Sequence, residues 1–225
     1  MFLTHSIVKG SSMNLITKIV TLASLLVGMS SANAAFINFN DHSLSKYSNQ
    51  YKAGSTSVSN AGSTITLNGN LWMDLAYNST ITSTSILKFT FVATGLNAEI
   101  YGIAFDTNDS FSVNSMNHFA LIGGEDVLAY PTANVFSDYK SGDGVVNFSI
   151  NIGEYFTGAF NRIVFILDND ENWSGSVASF SNVEICDNIL VCQTPSAVQA
   201  SEPTNLAFAG LALMFVGALR RRLSK

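Results

Sequence analysis

Apolar and polar residues alternate with a period of two over two stretches of the chain. Leu87, Phe89, Phe91 and Ala93 interleave with Lys88, Thr90, Val92 and Thr94; Val146, Phe148, Ile150 and Ile152 interleave with Asn147, Ser149 and Asn151. Successive side chains of a strand point to opposite faces, so these runs spell half-buried strands with one face on a core. Ile163 to Leu167 is apolar throughout, the pattern of a central strand. Further strands are predicted at Phe36 to Asn40, Thr64 to Leu67, Leu71 to Tyr77, Ile100 to Phe105, His118 to Ile122 and Val177 to Ile185. Gly, Asn, Asp and Ser interrupt these runs, and neither an internal repeat nor a long helical period is visible. Roughly nine or ten strands with frequent turns predict an all-β fold, an antiparallel two-sheet β-sandwich of the jelly-roll type.

The two ends follow a different pattern. Met13-Asn-Leu-Ile-Thr-Lys18, an apolar run from Ile19 to Met29, and Ser30-Ser-Ala-Asn-Ala34 have the layout of a secretory signal peptide. Small residues at Ala32 and Ala34 suit the shallow pockets of signal peptidase, and cleavage is expected between Ala34 and Ala35. Met13 is a candidate for the true start. At the other end, Ser201-Glu202-Pro203-Thr204 precedes a mostly apolar segment from Leu206 to Leu219 and then Arg220-Arg221-Arg222. As a helix this segment would span about 21 Å, short of the roughly 30 Å hydrocarbon core. The arginines would stay on the cytoplasmic side, leaving the body outside the inner membrane.

Glu-Pro, a short apolar helix and an arginine cluster in this order resemble the PEP-CTERM sorting signal, with Ser201 where that family has its first proline. The resemblance implies a Gram-negative producer and an exosortase-type membrane protease that removes the helix. It also implies a destination at the cell surface or in the extracellular matrix. The resulting organisation is a signal peptide at 1–34, a sandwich domain at 35–190, a linker at 191–200 and a sorting tail at 201–225 with its helix at 206–219.

Charge narrows the function. Residues 35–200 contain five basic residues against 15 acidic ones, a net charge of −10 that the whole-chain value of −5 conceals. Nucleic-acid affinity comes largely from Lys and Arg on phosphates, so no nucleic-acid partner is expected. Cys186 and Cys192 form an even pair in an exported chain, which favours a disulfide closing a small loop. With His42 and His118 alone in the body, and neither a G-x-S-x-G elbow nor a phosphate-binding glycine loop, no catalytic residues are assigned.

Acidic turns and aromatic residues are the remaining chemistry. Asp168-Asn-Asp170-Glu-Asn172 offers oxygen ligands at alternate positions directly after the central strand, and hard oxygen donors suit calcium. Asp106-Thr-Asn-Asp109 follows another predicted strand in the same way. If the two strands are neighbours, Asp106, Asp168 and Asp170 would meet at one rim around a structural calcium ion. The same residues also cap turns through their own backbones. Trp72, Tyr101, Tyr130 and Trp173 are candidate platforms for a sugar ring, since their flat faces are apolar and their tips polar.

Short motifs through the body resemble the carbohydrate-binding β-sandwich modules of secreted bacterial xylanases and related hydrolases. These are Asn68-Gly-Asn-Leu-Trp-Met73, Glu99-Ile-Tyr-Gly-Ile-Ala-Phe-Asp106, Tyr155-Phe-Thr-Gly158, Ile163-Val-Phe-Ile-Leu-Asp-Asn-Asp170 and Ser179-Phe-Ser-Asn-Val-Glu-Ile185. The resemblance implies a jelly roll, glycan binding and calcium at Asp106, Asp168 and Asp170. Taken together, the expectation is an exported, non-enzymatic protein that binds polysaccharide in the surface or biofilm matrix. The alternatives are a structural matrix protein that binds no sugar, and a glycan-cleaving enzyme.

Overall fold

The computed structural model describes residues 36–187. The signal peptide with its Ala34–Ala35 cleavage point, Cys192, the linker, the Ser201-Glu202-Pro203 element, the apolar helix and Arg220 to Arg222 lie outside the described residues, as do the expected domain boundaries. Among the described residues, no helix is long and apolar enough to cross a membrane.

The described residues form ten strands: β1 (Leu44–Lys46), β2 (Ala53–Ser59), β3 (Thr64–Ile81), β4 (Ile86–Gly95), β5 (Ile100–Asp106), β6 (Phe119–Gly123), β7 (Asn134–Tyr139), β8 (Val146–Ile150), β9 (Gly158–Asp168) and β10 (Ser176–Cys186). The hydrogen-bonded order is β7-β6-β5-β9-β3-β10-β4-β8, with β1 and β2 also paired to β3. The fold is an all-β sandwich. All pairs are antiparallel except β6 with β7, which run parallel.

The long strand β3 belongs to both sheets. Its first part, Thr64 to Asn68, pairs with β10, and its second part, Leu71 to Ile81, pairs with β9. The change falls at Gly69, whose φ of +118° lies in a region that favours glycine. A Cβ there would sit 2.5 Å from the Ala53 carbonyl oxygen on β2. The two strands expected at Thr64 to Leu67 and Leu71 to Tyr77 are therefore one strand, bent at the Asn68-Gly69-Asn70 step.

Burial explains the patterns. Along β9, Ile163, Phe165 and Leu167 enter the core between the sheets, while Val164 and Ile166 enter a second apolar cluster on the opposite face. That second cluster includes Trp72, Met116, Phe119 and Val127, so the loops at 107–118 and 124–133 cover the outer face of this sheet. A strand buried on both faces reads as continuously apolar. By contrast, Leu87, Phe89, Phe91 and Ala93 of β4 enter the core, whereas Lys88, Thr90, Val92 and Thr94 do not, which gives the clean alternation.

Phe36 to Asn40 is not a strand. Asn38 accepts a hydrogen bond from the Asn40 amide and opens a 3-10 turn at Phe39–Asp41. Phe39 is buried from this turn, and Ile37, just before it, is buried with its amide donating to Val183 O of β10 at 2.8 Å. Similarly, the alternation predicted through Ile152 ends at Ile150, and Ile152–Glu154 forms a 3-10 turn.

Candidate functional site

The register of β5 against β9 decides which acidic residues meet. Ile100 faces Asp168 at one end of the pair, and Asp106 faces Arg162 at the other. Six residues of antiparallel strand separate the ends by roughly 20 Å. The turn after β5 and the turn after β9 thus leave from opposite ends, and the expected meeting of Asp106 with Asp168 and Asp170 does not occur. Asp106 is instead occupied locally. Its Oδ1 accepts the amides of Thr107 (2.7 Å) and Asn108 (3.3 Å), and Tyr47 donates its hydroxyl to Oδ2. Arg162 nearby pairs with Asp74.

Glu99 takes the place expected for Asp106. It stands directly before β5, so the same register brings it beside the end of β9, and its amide donates to the Asp168 carbonyl at 2.8 Å. The Asp170 amide donates to Glu99 Oε2 at 2.9 Å, and Asn70 Nδ2 donates to Asp170 Oδ1 at 2.8 Å. One carboxylate oxygen each from Glu99, Asp168 and Asp170 lies within 4.8 Å of the other two. Asp168 is 5% exposed. Burial first, then the charges of Asp170 and Glu99, push its carboxyl up to about 7, against the opposing influence of Lys52. The set fits a cation: calcium takes six to eight oxygen ligands at about 2.3–2.6 Å, which groups oxygens at this spacing around one ion. A divalent ion would also offset the repulsion from Asp170 and Glu99 that adds to burial in raising Asp168.

The turn beyond the carboxylates is tightly specified. Asn169 Nδ2 donates to Ser174 O (3.2 Å) and Ser176 Oγ (2.9 Å), its amide donates to Asn70 Oδ1 (3.1 Å), and its carbonyl accepts the Trp173 amide (2.8 Å). Trp173 is held at φ +54° and is 53% exposed. Tyr130, half-buried on the 124–133 loop, belongs to the same neighbourhood. Burial, then Asp168, Glu99 and Asp170, push its hydroxyl up to about 12.

The other two aromatic candidates are corrected by their burial. Trp72 is wholly buried in the outer-face cluster, 4.9 Å from Phe111 and 5.8 Å from Phe119 between ring centroids. Its indole N–H approaches Asp168 closely enough to favour the charged carboxylate, without closing a hydrogen bond. Tyr101 is wholly buried between the sheets against Phe91 and Tyr139, and its hydroxyl accepts the Ala98 amide. Neither can stack on a sugar. At the far end of β10, Cys186 is buried beside Ile86.

Clefts lined by described residues include one around Thr80 and Asn161, one around Tyr47 and His118, and one between β7 and β8. None of the three is lined by the carboxylate cluster.

No known protein family's profile matches the chain, and no curated protein matches it by sequence. Among solved structures, a family 29 carbohydrate binding module (CBM29-2) overlaps 69% of this chain and 90% of its own, at 12% identity and a TM-score of 0.40. The Emp47p carbohydrate recognition domain overlaps 71% of this chain and 96% of its own, at 12% identity and a TM-score of 0.34. The glycoside hydrolase structure of Endo-D from Streptococcus pneumoniae overlaps 66% of this chain and 22% of its own, at 9% identity and a TM-score of 0.40.

Proposed function

We propose that this chain is an exported, non-catalytic polysaccharide-binding protein whose ligand-facing surface is the rim formed by Glu99, Tyr130, Asp168, Asp170 and Trp173. Calcium held by the three carboxylates would order the turn that presents Trp173. The single observation that carries the reading is Trp173 itself. A bulky side chain held at left-handed φ carries backbone strain, and such strain concentrates where a ligand is met. It stands on the same short turn as two of the carboxylates. Signal peptidase would release the body at Ala34–Ala35. The tail would hold the protein in the inner membrane until an exosortase-type protease passes it to the cell surface or matrix.

A glycan array with the exported protein, run with calcium and then with EDTA, tests this. Binding that EDTA removes supports the reading in full, and binding that persists removes calcium from it. Absence of binding by folded protein would replace it with the second reading, a structural matrix protein. The burial of Trp72 and Tyr101 favours that alternative, since two of the four expected platforms are packing residues.

A further inference from the structure

The sandwich has a second place where aromatic faces and hydroxyl-binding groups converge. β7 and β8 are the two ends of the strand order, so each has an edge without a ladder partner among the described residues. The edges face one another across a cleft of about 420 Å³, lined by Phe136 and Ser137 of β7, Val146 to Ile150 of β8, and Asn151, Glu154 and Tyr155 of the turn that follows. Its size is that of a small-ligand site.

Tyr155 at its mouth is 54% exposed, yet its backbone is fixed. The Tyr155 amide donates to Ile152 O (3.0 Å), and the Gly153 amide donates to Ser85 O (3.0 Å). Ile152 and Phe156 anchor the turn in the core on either side. Gly153 is required for this seat, since a Cβ there would lie 2.1 Å from the Thr82 carbonyl oxygen. Phe136 meets the Tyr155 ring edge to face, with centroids 4.7 Å apart and planes at 80°. Close by, Asn151 Nδ2 donates to Glu154 Oε1 at 3.2 Å, aligning an amide and a carboxylate side by side. An exposed aromatic on a rigid support loses little freedom when a ligand stacks on it.

We propose that the seam between β7 and β8 is a second glycan subsite, in which Tyr155 stacks on the apolar face of a neutral sugar ring. Asn147, Asn151 and Glu154 serve the hydroxyls. This rests on the reading of the protein as a polysaccharide binder but uses different residues and needs no cation. Neutral polymers are selected over uronates because Glu154 is the charged residue of the lining and the body carries net charge −10.

The test is affinity gel electrophoresis of the exported protein in gels containing soluble β-glucan, xylan or alginate, with EDTA present throughout. Wild type, Tyr155→Ala, Trp173→Ala and the double variant are compared, with circular dichroism as the folding control. The expected result is retardation of wild type in a neutral gel that falls at least fivefold in Tyr155→Ala, and by the same factor when Tyr155→Ala is added to Trp173→Ala. Equal retardation of wild type and Tyr155→Ala overturns the seam and leaves the rim standing. Stronger retardation in alginate than in either neutral gel overturns the neutral-sugar assignment. Self-association that Tyr155→Ala abolishes, without effect on any glycan, would make the seam a protein contact instead. A wild type that no EDTA gel retards overturns the seam, and one that parallel gels containing calcium also fail to retard ends the rim reading with it.

Discussion

At Trp173 the costs fall on one side chain, and they make opposite predictions for stability and binding. Left-handed φ costs a non-glycine residue roughly 1 kcal/mol or more. Trp173→Gly relieves this while adding about as much chain entropy to the unfolded state, so its Tm should equal or exceed that of wild type. Glycan affinity should fall about tenfold, or about 1.4 kcal/mol. A melting curve beside a binding titration separates the two, and a clear fall in Tm with binding intact would make Trp173 a packing residue. Asp168 gives the pH dependence. Its folded pKa of about 7 lies above the ordinary carboxylate value. Between those values the folded state keeps a proton that the unfolded state has lost, so in EDTA this group's contribution declines as pH rises from about 4 through 7. Calcium reverses the trend, because it binds the deprotonated form, and an excess of about 100 times its Kd adds about 2.7 kcal/mol. Asp168→Asn should flatten both effects in melts taken across that range. Stability in EDTA that is level across it would show that burial and the neighbouring carboxylates do not raise Asp168 as the geometry implies.

Among the elements, β3 bends at a position that suits glycine. Gly69→Ala would force a Cβ toward the Ala53 carbonyl oxygen, at 2.5 Å, in a backbone region that L side chains avoid. A loss of roughly 3 kcal/mol, or about 10 °C in Tm, is expected by thermal melting, and an unchanged Tm would mean that the two halves of β3 are coupled loosely. The same strand shows how far the sequence reaches. β4 and β9 were legible because burial on one face or two writes directly into the apolar pattern. β2 was not, because Ala53-Gly-Ser-Thr-Ser-Val-Ser is an edge with small polar side chains and carries no period. The site was half legible for a related reason. Asp168, Asp170, Tyr130 and Trp173 could be picked out by residue type. Glu99, however, joins them only through antiparallel register, which no local spacing encodes. The expectation for Asp106 failed on that point: neighbouring antiparallel strands send their following turns to opposite ends, so the useful carboxylate was the one entering β5. Burial separated Trp72 and Tyr101 from Trp173, and burial of a single aromatic is a property of the assembled sheets.

For the whole molecule, address and binding should be separable, because the candidate sites lie within residues 36–187 while the expected sorting signals lie outside them. If residues 206–219 form the proposed apolar helix of about 21 Å, it would not fill a roughly 30 Å hydrocarbon core unaided, and its hold would depend on the flanking arginines reaching the cytoplasmic headgroups and resisting translocation. Deleting Arg220 to Arg222 should therefore weaken membrane retention and reduce removal of the tail, since a protease within the membrane needs its substrate held at a fixed depth. Fractionation of membrane, surface and medium, with the mass of the released form, checks this. The protein released by the deletion should still be retarded in a neutral-glycan gel to the same extent as wild type. Tail removal that proceeds at the normal rate without the arginines would count against a sorting role for the segment. Loss of glycan binding in the deletion would show instead that membrane attachment helps to build the binding surface, because the rim and the seam would then fail to act as autonomous features of the sandwich.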